Sequence, residues 1–181
     1  MIYVFLADGF EEVEALAPID FLKRAGVDVV IAGVTGMTVT GAHNIKVCAD
    51  IPLSDVVMSD DVQGIILPGG MPGADNLDKN PVVQQSIDWC VANNRIISAI
   101  CAAPFILGKK GLLKGKNATC FPGFESYLDG ATVREKGVVA DGNIITARGA
   151  GVAWEFGAEI ASVLVGKEKS DAILGAIQWK K

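Results

Sequence analysis

Residues 97–108 read ISAICAAPFILG, and the fold turns on how this stretch is parsed. Its first four residues continue an apolar, β-branched-rich run that begins at Arg95, as a strand covered on both faces does. At Cys101 the pattern changes to small residues, a proline and an apolar helical spacing. Pro104 suits the first turn of a helix, where no intrahelical donor is lost. A strand that delivers a thiol to the start of a helix is one βα unit.

Working outward, the same alternation recurs. IYVFLA (2–7), DVVIAGV (28–34), GIILPGG (64–70), RIISAI (95–100) and NIITARG (143–149) read as buried strands. Residues 11–25, 81–93, 102–110 and 152–165 are the helical candidates; in the last, Gly157, Ile160, Ala161, Leu164 and Val165 form one stripe at helical spacing. TGMTVTGAHNIKVCAD (35–50) reads as a small hairpin excursion. Strands separated by helices imply an α/β fold with a mostly parallel sheet and right-handed crossovers. Such sheets place ligands beyond the carboxyl ends of their strands.

Composition narrows the function classes. The 181 residues, half hydrophobic and a fifth charged, suit a single domain spanning 1–181. A formal net charge of -5 without a basic patch argues against nucleic acid or an anionic membrane as main partner. No apolar run approaches the roughly 20 residues of a membrane span, and the N-terminus lacks a basic flank and cleavage signal, so a soluble, cytoplasmic protein is expected. Cys48, Cys90, Cys101 and Cys120 are scattered and read as reduced thiols. One histidine, His43, and no HExxH or CxxC pattern argue against a bound metal.

Three strand ends carry the chemistry. The turn at Cys101 resembles a nucleophile elbow, with Ala99 and Ala103 as the small flanking residues; the following helix would aim N–H groups at sulfur and favour the thiolate. The alternative is a buried cysteine serving as a small hydrophobe. LPGGMPG (67–73) offers unobstructed backbone N–H groups, so Gly69 or Gly70 could donate to an oxyanion, with the Ala102 N–H as second donor. It is neither a phosphate loop nor a dinucleotide fingerprint, since no Gly-Lys-Ser/Thr follows and the spacing is GGxxG. In GFEEVEALAP (9–18), Glu11 and Glu12 read as solvated first-turn charges. Glu14 shares a helical face with Pro18 and Phe21 at the edge of the buried stripe, and a protonated Glu14 would donate to the sulfur.

ADGFEEVE at the first strand, LPGG at the third and AICAAP at the elbow together resemble the ThiJ/PfpI superfamily, with its class I glutamine amidotransferase-like fold. The similar branch is that of the parkinsonism-associated protein DJ-one and its bacterial homologues. LKRAGVDVVIAGV, PGGMPGADNL, ARGAG and WEFGAEIASVLVGKEK follow in the family's order, so the resemblance spans essentially the whole chain. It implies a flavodoxin-like three-layer α/β/α sandwich that forms a homodimer. Cys101 would be the reactive, readily oxidised cysteine and Glu14 its partner, with Gly70 and Ala102 as oxyanion-type donors and Gly149 and Ala150 lining the pocket. Cys48 would lie near the dimer interface, with Cys90 and Cys120 ancillary. The implied activity needs no cofactor: removal of glyoxals or early glycation adducts, as glyoxalase or deglycase, beside peroxide sensing and chaperone-like protection.

Two departures bear on the chemistry. Members acting as peptidases carry a histidine directly after the nucleophile, where this chain has Ala102; others carry one before the proline of CFPG, where it has Phe121. A cysteine peptidase or amidase is therefore the weakest of the three functional readings. His43 lies in the excursion whose family counterpart approaches the partner subunit's pocket, which sets a role in trans against the plain reading as a loop histidine.

Overall fold

The structure, a computed structural model, describes residues 1–180. The chain opens with β1 (Ile2–Leu6), α1 (Glu12–Arg24) and β2 (Val29–Gly33), then makes the excursion as β3 (Thr38–Thr40) and β4 (Lys46–Cys48), an antiparallel pair. β5 (Ile51–Pro52), β6 (Gly64–Leu67), α2 (Gly73–Lys79), α3 (Pro81–Ala92), β7 (Ile96–Ile100) and α4 (Pro104–Lys109) follow. The C-terminal third holds the short β8 (Asn117–Ala118) and β9 (Thr132–Val133), then β10 (Val138–Asp141), β11 (Ile144–Ala147), α5 (Ala153–Val165) and α6 (Lys167–Ala176).

The main sheet has seven strands in the order β10-β11-β7-β6-β1-β2-β5, parallel throughout except where β10 pairs with β11. Every residue of β1, β6, β7 and β11 is buried. These strands lack the polar alternation of a half-solvated sheet because helices cover both faces. Ile2, Val4 and Leu6 point to a core closed by α1, α5 and α6; Tyr3, Phe5 and Leu67 point to one closed by α2, α3 and α4. This is the expected three-layer α/β/α sandwich. α1 and α5 approach closely at Gly157, where an added methyl would lie 2.9 Å from Pro18 Cα.

Several elements had no clear periodic signal. α6 buries only Ser170 and Ile173, too little to leave an amphipathic stripe, and β10 is a four-residue edge strand. The elements with strong signals settle where the site forms. From β1 the strand order runs outward one way through β2 and the other through β6 and β7. The crevice beyond the carboxyl ends of β1 and β6 is thus the topological switch point, where open α/β sheets bind ligands.

Candidate active site

Cys101 follows β7 with φ +64°, the left-handed region that costs a non-glycine residue about 1 kcal/mol or more. The backbone around it over-determines that conformation. Its N–H donates to the Ala147 carbonyl at 2.9 Å, and its own carbonyl accepts from the Phe121 N–H at 2.8 Å. The strained turn lifts the half-buried thiol off the strand end, as a nucleophile elbow does. The N–H groups of Gly70 and Ala102 face the sulfur. Gly70 reaches this position with φ +84° and its backbone packed against Gly9 and Glu11, so no side chain could be carried there.

Glu14 stands in the first turn of α1, which Glu11 caps by accepting the Glu14 N–H at 2.7 Å. Its carboxyl is 1 % exposed and hydrogen-bonded to the Cys101 thiol. Oε2 accepts the Gly69 N–H at 3.0 Å, and the Ala150 N–H supplies a further bond. The Gly69 amide is therefore committed to the carboxyl rather than open to an oxyanion, which leaves Gly70 and Ala102 as the two donors beside the sulfur. Gly149 packs between Phe121 and Glu14 and, with Ala150, forms the wall at the end of β11. The switch point thus gathers Glu14 after β1, Gly69 and Gly70 after β6, and Cys101 and Ala102 after β7.

Burial, and after it the charge of Glu14, push the Cys101 thiol up to about 12, against the pull of the Gly70 and Ala102 amides. Burial likewise lifts the Glu14 carboxyl to about 7; Glu11 adds to the rise, and the bonds with Cys101, Gly69 and Ala150 oppose it. The thiolate expected from the helix dipole alone does not emerge, because α4 has only six residues and desolvation outweighs it. The two groups titrate as a pair. With Glu14 ionised, the thiol keeps its hydrogen and donates it to the carboxylate; with Glu14 protonated, the carboxyl donates to sulfur and the amides then favour the thiolate.

A stability consequence follows. Glu14 has a folded-state pKa above its ordinary value of 4.5, so the native protein holds a proton that the unfolded chain releases. That contribution is full below 4.5 and is lost as pH rises through about 7. Glu14→Gln stays neutral, so its stability should gain on that of the wild type between pH 5 and pH 8. The gain should approach ~3 kcal/mol, at 1.36 kcal/mol per unit. Denaturant unfolding at both pH values reads it; parallel profiles for the two proteins would refute the buried, proton-holding Glu14.

Other candidates lie elsewhere. Glu12 was expected to be a solvated charge, yet it is 3 % exposed. Its Oε1 accepts the His43 N–H at 2.7 Å, and its Oε2 pairs with His43 Nδ1 at 2.7 Å. Burial opposes ionisation of Glu12, but the His43 ring and the hairpin amides win and hold its carboxyl below the usual range. This clamp of the β3–β4 hairpin onto α1 joins residues 31 apart, so no local pattern announces it. Glu11, Glu12 and His43 bring ligating atoms within 4.8 Å of one another, but both Glu12 oxygens are already in use. Cys90 and Cys120 are buried, and Cys48 is exposed on β4. Phe121 was singled out from sequence only as the place of a missing histidine and Ala147 not at all; as partners of the Cys101 backbone they leave no side-chain signature.

The chain is similar to known proteins over nearly its whole length. The model of the DJ-1/PfpI family matches residues 1–163. The protein dj-1beta of Drosophila melanogaster is 38 % identical over 169 residues, covering 92 % of this chain and 90 % of that one. The crystal structure of Drosophila melanogaster DJ-1beta superposes with a TM-score of 0.93 at 35 % identity, over 99 % of this chain and 98 % of that one. Oxidized DJ-1 of Toxoplasma gondii superposes with a TM-score of 0.92 at 31 % identity, with the same coverage. Fold and sequence agree: the chain belongs to the DJ-1/PfpI family.

Proposed function

We propose that this protein is a cofactor-independent enzyme acting on glyoxal, methylglyoxal or early glycation adducts, with Cys101 as nucleophile and Glu14 as proton carrier. The observation that carries the reading is the hydrogen bond between a left-handed elbow cysteine and a buried carboxyl, with two backbone amides facing the sulfur. As sulfur attacks the aldehyde carbon of a 2-oxoaldehyde, the thiol proton passes to Glu14. The Gly70 and Ala102 amides hold the oxyanion until it is protonated as the hemithioacetal. Glu14 then takes the proton from C1 and returns it to C2, so the aldehyde carbon is oxidised as the ketone carbon is reduced. Water cleaves the resulting 2-hydroxyacyl thioester, releasing the hydroxy acid and the thiol. No external oxidant enters. Without a histidine beside Cys101, turnover is slow. The assay is lactate formation from methylglyoxal by metal-free protein, and its absence at any pH between 5 and 9 would overturn the reading.

A second reading, a redox-responsive dimer, is favoured by the amides at the sulfur, which suit a sulfinate oxygen, and by similarity to the oxidized Toxoplasma gondii DJ-1. Under mild peroxide Cys101 should gain two oxygens before Cys48, Cys90 or Cys120, read by peptide mass; equal or slower oxidation at Cys101 would exclude it. The dimer face proposed for either function is the apolar surface of α1 and the hairpin, where Val13, Leu16 and Ile45 are exposed beside Trp154. Among the described residues no helix is long and apolar enough to cross a membrane.

A further inference from the structure

The three chain segments that close around Cys101 all continue into one cavity. Gly70, whose amide faces the sulfur, is followed by Met71. Ala102, whose amide is the other donor, is followed at three residues by Phe105. Phe121, bonded to the Cys101 carbonyl, leads to Phe124. Met71, Phe105 and Phe124, joined by Tyr127, Asp75 and Lys109, line a cavity of about 290 Å³ on the α4 side of the sheet. Met71 directly follows Gly70, and Phe105 and Phe124 stand three residues beyond Ala102 and Phe121, so the cavity walls are continuous in the chain with the groups that hold the elbow.

The lining indicates what would fit. The rings of Phe105, Phe124 and Tyr127 form a mutually tilted cluster with centroids 5.8 to 6.2 Å apart, a preformed aromatic floor. Met71, 47 % exposed, adds a flexible, polarisable wall that adapts to a flat guest. Lys109 Nζ lies 4.5 Å from the Phe105 ring centroid and is paired with Asp78 at 2.7 Å. Lys109, itself held by Asp78, thus already covers the ring face and offers an anion no unpaired charge, which leaves a neutral aryl group as the best occupant. A methyl group would leave most of the space empty.

We propose that this cavity is the subsite for the ketone substituent of a thiol-bound 2-oxoaldehyde, and that the protein prefers arylglyoxals to methylglyoxal. The proposal rests on Cys101 adding to 2-oxoaldehydes as described above. Phenylglyoxal and water would give mandelate by the same internal transfer, C1 being oxidised to the carboxylate as C2 is reduced to the carbinol.

Two measurements test it. The first is kcat/KM for phenylglyoxal relative to methylglyoxal, expected to favour phenylglyoxal about tenfold in the wild type. That ratio should fall to near one in Tyr127→Ala and in Met71→Ala, both changes at half-exposed positions that leave the core intact. The second needs no turnover: alkylation of Cys101 by 2-bromoacetophenone against bromoacetone, each rate divided by that with glutathione and read by peptide mass. The S–C bond forms as bromide leaves, and the aryl preference should again be about tenfold and lost in the two variants. An aryl preference in alkylation without lactate or mandelate formation would support the cavity while refuting the reaction. Methylglyoxal turnover with no aryl preference, or a preference unmoved by either variant, would overturn the subsite.

Discussion

Cys101→Ala should lower lactate formation from methylglyoxal by at least ~1,000-fold, the scale on which removal of a covalent nucleophile acts. No other thiol can stand in. Cys90 and Cys120 are buried, whereas Cys101 is only half-buried, and neither of the two is the thiol bonded to Glu14. Cys48 is exposed on the hairpin. The variant should remain folded, because alanine pays no greater cost than cysteine at φ +64° and the lost sulfur was only half buried. A melting temperature close to that of the wild type makes the comparison interpretable. Retention of a tenth of the activity would remove Cys101 from the mechanism.

Gly69→Ala should damage stability and site together. Its methyl would lie 2.5 Å from Glu14 Oε2, 2.6 Å from Cys101 Cβ and 2.9 Å from the Ile100 carbonyl oxygen. None of these can yield cheaply: the carboxyl is held by amides, and the other two belong to a buried strand end and its elbow. Overpacking of this kind costs about 1–3 kcal/mol, so the denaturation midpoint should drop accordingly. The thiol should part from the carboxyl, which alkylation of Cys101 across pH will register as loss of the Glu14-linked inflection. At Gly149, by contrast, an added methyl meets its nearest atom at 3.4 Å, so Gly149→Ala should hold its stability. Equal destabilisation by both substitutions would show that steric conflict is not the cause.

Much of this architecture could be read directly from residue order. Runs such as IYVFLA and RIISAI are apolar on both faces, the helix at 153–165 carries its stripe, and Pro104 marks where a helix starts. These are local patterns, repeated every few residues, and a parallel sheet with its site at the strand ends follows from them. Cys101 and Glu14 were legible for the same reason, each being tied to a strand end or a helix face. The dedication of Gly69 to Glu14 rather than to an oxyanion was not, since two glycines in one turn are chemically alike until a carboxyl 55 residues away selects one.

The chain's sequence by itself determined the alternating α/β layers, the strand-to-helix elbow and the absence of a histidine next to its thiol. Tertiary structure decided the protonation of the site, the burial of Glu12 beneath the hairpin and the aromatic cavity beside α4. The physical reason is range. Hydrophobic periodicity is set by neighbours three or four residues apart, whereas desolvation, proton sharing and cavity shape depend on groups that meet only when distant strands are laid side by side.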